Sequence, residues 1–141
     1  MTEQENTNTV KAMYAAFGRG DIPALLNSLA DRIEWEIPGR QDGIPFAGTY
    51  RGRDSVGQFF TLMAESIDYN LFEPREFIAQ GNQVIALGRY KATAKPSGNT
   101  FETEWAMAWT LSEGKATHFR VYDDTSAVLA ALTMPRAKSA G

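Results

Sequence analysis

The apolar residues of this chain change period part-way along it. Between residues 7 and 30 they recur about every 3.6 positions, and between residues 76 and 122 at every second position. Helices therefore come first and long antiparallel strands last. All of this fits into 141 residues, the length of one domain with a sizeable core.

Val10, Met13, Tyr14 and Phe17 fall at i, i+3, i+4 and i+7, so the first helix starts near Glu5–Thr7 and ends at Gly18-Arg19-Gly20. Asp21 caps a second short helix with Pro23 in its first turn and Leu25, Leu26 and Leu29 on its apolar side. Arg32 to Ile37 alternates as a strand. Residues 38–52, with Gly39, Gly43, Pro45 and Gly48, read as one long loop. A third helix opens at Arg53-Asp54-Ser55 with Val56, Phe59, Phe60 and Met63 as its stripe. Four strands follow: Leu71–Ala79, Gln83–Ala94, Thr100–Leu111 and Lys115–Tyr122, joined by short turns and so antiparallel in chain order. Asp123 or Asp124 can cap a last helix through Leu132. One domain over 1–134 and a loose tail over 135–141 complete the reading.

Composition narrows the function. A net charge of −3, with basic residues scattered except for Arg51 and Arg53, argues against nucleic acid. The absence of cysteine excludes disulfides, thiolate nucleophiles and zinc-finger sites. A single histidine and no acidic cluster with ligand spacing leave no expected metal site. No phosphate loop, dinucleotide fingerprint or G-x-S-x-G elbow points to a cofactor, so none is expected. The first residues, MTEQENTNT, lack a signal-peptide pattern, and no apolar run reaches the length of a membrane span. A cytoplasmic protein is the simplest reading.

The element order and several motifs resemble one family. Val10-x-x-Met13-Tyr14-x-Ala16-Phe17-x-x-Gly20-Asp21 and Ile33-Glu34-Trp35 are similar to the signature of SnoaL-like proteins. So are Phe46-x-Gly48-x-Tyr50-x-Gly52-x-Asp54, Phe59-Phe60, and the closing Phe119-Arg120-x-Tyr122-x-Asp124-Thr125. The resemblance spans about residues 6–132 and implies the nuclear transport factor 2-like superfamily, with ketosteroid isomerase and SnoaL-like polyketide cyclases among its members. It implies an α+β cone: three N-terminal helices packed on a curved, mixed, mainly antiparallel sheet around an apolar pocket. It also implies a homodimer through the outer face of the sheet. Fold does not fix chemistry, however.

The chemistry-bearing candidates follow from register. Period 2 puts His118, Arg120 and Tyr122 on one face, with Asp124 next if the strand continues. Apolar burial alone sends Phe119 and Val121 inward instead; the family pattern favours Arg120 and Tyr122 inward. With the polar set inward, His118 and Asp124 are the acid/base candidates, and Tyr14 and Arg120 polarise a substrate oxygen. The expected walls are Trp35, Phe46, Tyr50, Phe59, Met63, Arg89, Trp105, Met107 and Tyr122. Two members of the superfamily fit poorly. Steroid isomerases need a carboxylate base, for which Asp42 in a turn-rich stretch is the candidate, and a second inward acid that the middle strands do not offer. Epoxide hydrolases need two acids bridged by an arginine, and Lys91 stands where a carboxylate is wanted near Arg89. The expected function is binding of a small, mostly apolar organic molecule, with cofactor-free isomerisation or polyketide-type cyclisation if it is an enzyme. The alternative is a non-catalytic ligand-binding or dimerisation protein.

Overall fold

A computed structural model describes residues 2–135. Helix α1 (Glu3–Gly18) begins two residues before the expected start, because Thr2 and Glu5 close a capping box. Helix α2 (Ile22–Asn27) is capped by Asp21 as its sequence suggests. Strand β1 (Leu29–Ile37) follows, then a loop, and then the short strand β2 (Gly48–Arg51), within the stretch that its Gly and Pro residues predict to be loop throughout. Helix α3 (Arg53–Ser66) runs directly into β3 (Ile67–Gln80). Strands β4 (Gln83–Ala94), β5 (Thr100–Ser112) and β6 (Lys115–Asp123) and helix α4 (Thr125–Thr133) complete the fold. Of the expected tail, residues 136–141 lie outside the described residues. None of the described helices is long and apolar enough to cross a membrane.

The six strands form one sheet in the order β2-β1-β6-β5-β4-β3. Strands β3 to β6 are an antiparallel meander, and β1 joins β6 in parallel, which makes the sheet mixed. Strand β3 lies at the edge, which is why it tolerates Pro74, a residue unable to donate to a ladder. Its register slips twice, between Tyr69 and Leu71 and between Pro74 and Glu76. Such bulges bend a strand, and here they accompany a strand that turns back over α1, where Phe77 meets Tyr14.

The concave face is filled by aromatic and aliphatic side chains. Alternate residues of β4 (Val84, Ala86, Tyr90) and β5 (Trp105, Trp109, Leu111) are buried against Val10 and Met13 of α1 and Phe59, Phe60 and Met63 of α3. At the other end, Leu129 of α4 packs on Gly43 of the loop; a Cβ on Gly43 would stand 2.2 Å from the Leu129 Cδ1. The loop is thereby tied down by the last helix, and Ile44, Phe46 and Ala47 are buried beneath it.

Gly88 is the position where the sheet has no room for a side chain. It pairs with Trp105, whose indole lies over it; a Cβ there would be 2.5 Å from Trp105 Cζ2 and 2.4 Å from the Glu73 carbonyl oxygen. Alanine in a strand is ordinarily no worse than glycine. Gly88→Ala should nevertheless cost about 1–3 kcal/mol, the usual range for overpacking, measured as a lower urea midpoint.

Candidate functional site

The face that β6 turns inward decides the site. Phe119, Val121 and Asp123 point into the cone, and Phe119 pairs with Trp35 on one side and Trp109 on the other. His118, Arg120 and Tyr122 therefore lie on the convex face, and the expectation that they line the cavity is corrected. The physical reason is burial. Turning Phe119 and Val121 inward is worth about 2–3 kcal/mol for each large apolar side chain. Turning Arg120 inward would leave a cation in an aromatic pocket without a carboxylate partner in reach, a cost of several kcal/mol.

On the outside the polar residues have partners. Glu36 of β1 accepts from His118 Nε2 at 2.8 Å and lies 3.6 Å from Arg120 Nη1. The Arg120 guanidinium stands 5.1 Å from the Tyr122 ring. Arg89 is also convex, paired with Glu102 at 3.1 Å and Glu73 at 3.7 Å, so it is no cavity wall. Asp124 caps α4 by accepting from the Ala127 N–H. Asp42 is exposed and paired with Arg40. Tyr50 and Trp105 are on the inner side without lining the cavity: Tyr50 donates to the Phe46 carbonyl, and Trp105 stacks behind Tyr14 and Phe72. Of the expected walls, Trp35, Phe46, Phe59, Met63 and Met107 do line it, together with Tyr14.

The cavity has a volume of about 80 Å³. An aromatic ring needs closer to ~150 Å³, so a ring-sized ligand enters only if the walls give. Three of those walls are methionines, Met13, Met63 and Met107, the side chains best able to repack.

Its polar groups fall at two ends. One end holds the Tyr14 hydroxyl, which accepts from Trp109 Nε1 at 3.0 Å and donates to the Met107 sulfur at 3.1 Å. Burial pushes the Tyr14 hydroxyl well above its ordinary pKa, so it is a donor at any physiological pH. Trp35, only 3% exposed, lines the same space, and its indole N–H has no partner. The other end holds Asp123, the only ionisable carboxylate or cation among the lining residues. The Tyr90 hydroxyl donates to Asp123 Oδ2 over a long 3.5 Å, and Tyr69 stands against the Tyr90 ring. Val121 is level with Met107 and Asp123 with Trp105, so about 6–7 Å of strand separates Asp123 from the rung of Met107. Among the described residues no three His, Cys, Asp or Glu side chains converge to hold a metal.

Asp123 escapes the sequence reading because nothing distinguishes it from Asp124 until the register is known. Desolvation raises its carboxyl pKa from 3.8 to about 6, opposed by the Tyr90 hydrogen bond, with the nearby Asp124 adding to the rise. At neutral pH the group is a carboxylate in an apolar cavity, with a proton affinity suited to exchange near neutrality.

The SnoaL-like domain family matches residues 10–119. The chain belongs to that family. The cone is similar to that of an NTF2-like protein from Burkholderia xenovorans, at 39% identity and a TM-score of 0.85, covering 94% of this chain and 99% of that one. It is also similar to TerC co-crystallised with polyporic acid, at 27% identity and a TM-score of 0.82 over 91% of this chain and 98% of that one. A sequence relative, an uncharacterised protein of Mycobacterium tuberculosis, is 26% identical over 90% of this chain and 95% of its own length. A putative polyketide cyclase of Xanthomonas campestris, 20% identical with a TM-score of 0.75 over 93% of this chain and 98% of that one, shares the fold. The family match stops four residues short of Asp123.

The shifted carboxyl has a consequence for stability. Its folded pKa lies above the unfolded 3.8, so between the two values the native state holds more protons than the unfolded one, and stability falls as pH rises. The difference from 3.8 to about 6 sets a ceiling of ~3 kcal/mol. Asp123→Asn should therefore be more stable than the parent at pH 8, with the gap closing between about pH 6 and pH 4. Chemical denaturation at the two pH values measures this.

Proposed function

We propose that the cavity binds a small, largely apolar organic molecule and that Asp123 exchanges a proton with a carbon acid of that molecule. The observation that carries this reading is a lone carboxylate among aromatic walls, its pKa raised to about 6. A carboxylate of that proton affinity can take a proton from a carbon next to a carbonyl. Tyr14, accepting from Trp109 and donating only to a thioether, is then free to turn its proton toward a ligand oxygen. The reaction class is cofactor-free isomerisation or an aldol-type cyclisation. TerC, with polyporic acid in its crystals, is a related protein that takes a small organic molecule, which supports the ligand class. His118 and Arg120, on the convex face, take no part in this chemistry; Asp124 holds α4 in place.

The test is solvent deuterium exchange at the α-carbon of 2-tetralone in D₂O, followed by proton NMR. The parent should speed exchange, and Asp123→Asn should lose two to four orders of magnitude of that acceleration, the usual worth of a positioned base. His118→Ala should retain it. Loss of exchange in His118→Ala, or none in the parent, sinks the catalytic reading; ligand binding without exchange leaves the non-catalytic alternative.

We also infer that two copies pair through the convex face. Ile78 and Tyr122 are 54% and 52% exposed there, beside the partly buried Ile85, Leu87, Ala106 and Ala108. Apolar residues on an uncovered sheet face favour association. Sedimentation should give a dimer for the parent and a shift toward monomer for Tyr122→Asp. A parent that is monomeric at micromolar concentration removes the idea.

A further inference from the structure

Two cavity tyrosines give their protons to sulfur. Tyr14 donates to Met107 at 3.1 Å, and Tyr69 donates to Met63 at 3.3 Å. A thioether is a weak acceptor, and a carbonyl oxygen is a better one. Tyr69 is a separate case from Tyr14 because it belongs to the other end of the cavity. Its ring meets that of Tyr90 edge-on at 5.0 Å, and Tyr90 donates to Asp123. The Asp123 charge reaches the Tyr69 hydroxyl, yet that hydroxyl points its proton at Met63.

The two sulfurs belong to the walls that must move. A cavity of about 80 Å³ cannot take a ring unless its flexible side chains yield. When Met63 and Met107 yield, each leaves a tyrosine hydroxyl without an acceptor in an apolar space. An unpaired buried donor is destabilising, so the ligand that enters best is one that brings acceptors. The cavity lining holds no Lys, Arg or His among the described residues, and the Asp123 carboxylate would repel an anion.

We propose that Tyr69 is a second oxygen-binding donor beside Asp123, and that the ligand is a neutral, flat, apolar body with two carbonyl-type oxygens, one for Tyr14 and one for Tyr69. This rests on the reading that the cavity holds a ligand. Tyr69 would then hold the oxygen of the same carbonyl whose α-proton Asp123 removes, and Met63 keeps that donor occupied in the empty state.

The experiment compares three two-ring probes: naphthalene, 1-tetralone and 1,4-naphthoquinone, with none, one and two carbonyl oxygens. The chain has no cysteine to add to the quinone. Calorimetric or fluorescence titration of the parent should give affinity rising about tenfold per carbonyl, the worth of one hydrogen bond. Tyr69→Phe should lower the quinone-to-naphthalene affinity ratio about tenfold, because it removes a donor that the quinone pairs and naphthalene leaves unpaired. Met63→Leu, which keeps the volume and frees the hydroxyl, should raise the affinity for the quinone. A ratio unchanged in Tyr69→Phe, a change shared equally by naphthalene, or a fall of the quinone affinity in Met63→Leu overturns the proposal. Failure of naphthalene to bind the parent overturns instead the reading that the cavity takes apolar ligands.

Discussion

The face-to-face contact between Trp35 and Phe119 governs the rest of this structure. The two rings are 3.9 Å apart at 24°, across the single parallel junction of the sheet, between β1 and β6. Parallel pairing lacks the tight turn that fixes register in a hairpin. Here the register is set by side chains: Phe119 must meet Trp35, and Trp109 closes on Phe119 from the far side at 4.5 Å. Once Phe119 is inward, period 2 takes Asp123 inward with it and sends His118, Arg120 and Tyr122 out.

That register places a carboxylate where folding alone would not want one. The core around the cavity is almost continuous aromatic contact, from Phe60 and Trp35 through Trp109 and Tyr14 to Phe72 and Tyr90. Asp123 at its margin is desolvated, and Trp35 and Trp105 have buried N–H groups without partners. Buried polar groups are paired in the great majority of proteins. An acid, an orphan donor and two hydroxyls resting on sulfur within one aromatic core cost stability.

Belonging to the SnoaL-like family accounts for the scaffold. Asp123 falls beyond the matched region, whereas Met63 and Met107, which accept the tyrosine protons, fall within it.

Much of this was already in the sequence. The change of apolar period determined the order of helices and strands, and the hairpin glycines placed the turns of β3 to β6 within a residue or two, since both signals are local. The walls Trp35, Phe59, Met63 and Met107, and Tyr14 on the face of α1, were legible for the same reason. Strand β2 was not, because its pairing with β1 is the only thing that makes Gly48–Arg51 extended. The site itself was decided by tertiary structure. Sequence alternation allowed either face of β6 to point inward and made Asp123 and Asp124 equivalent neighbours. Only the contact of Phe119 with Trp35, residues 84 positions apart in the chain, chose between them, because burial of a sheet face is a property of what packs against it and not of the strand.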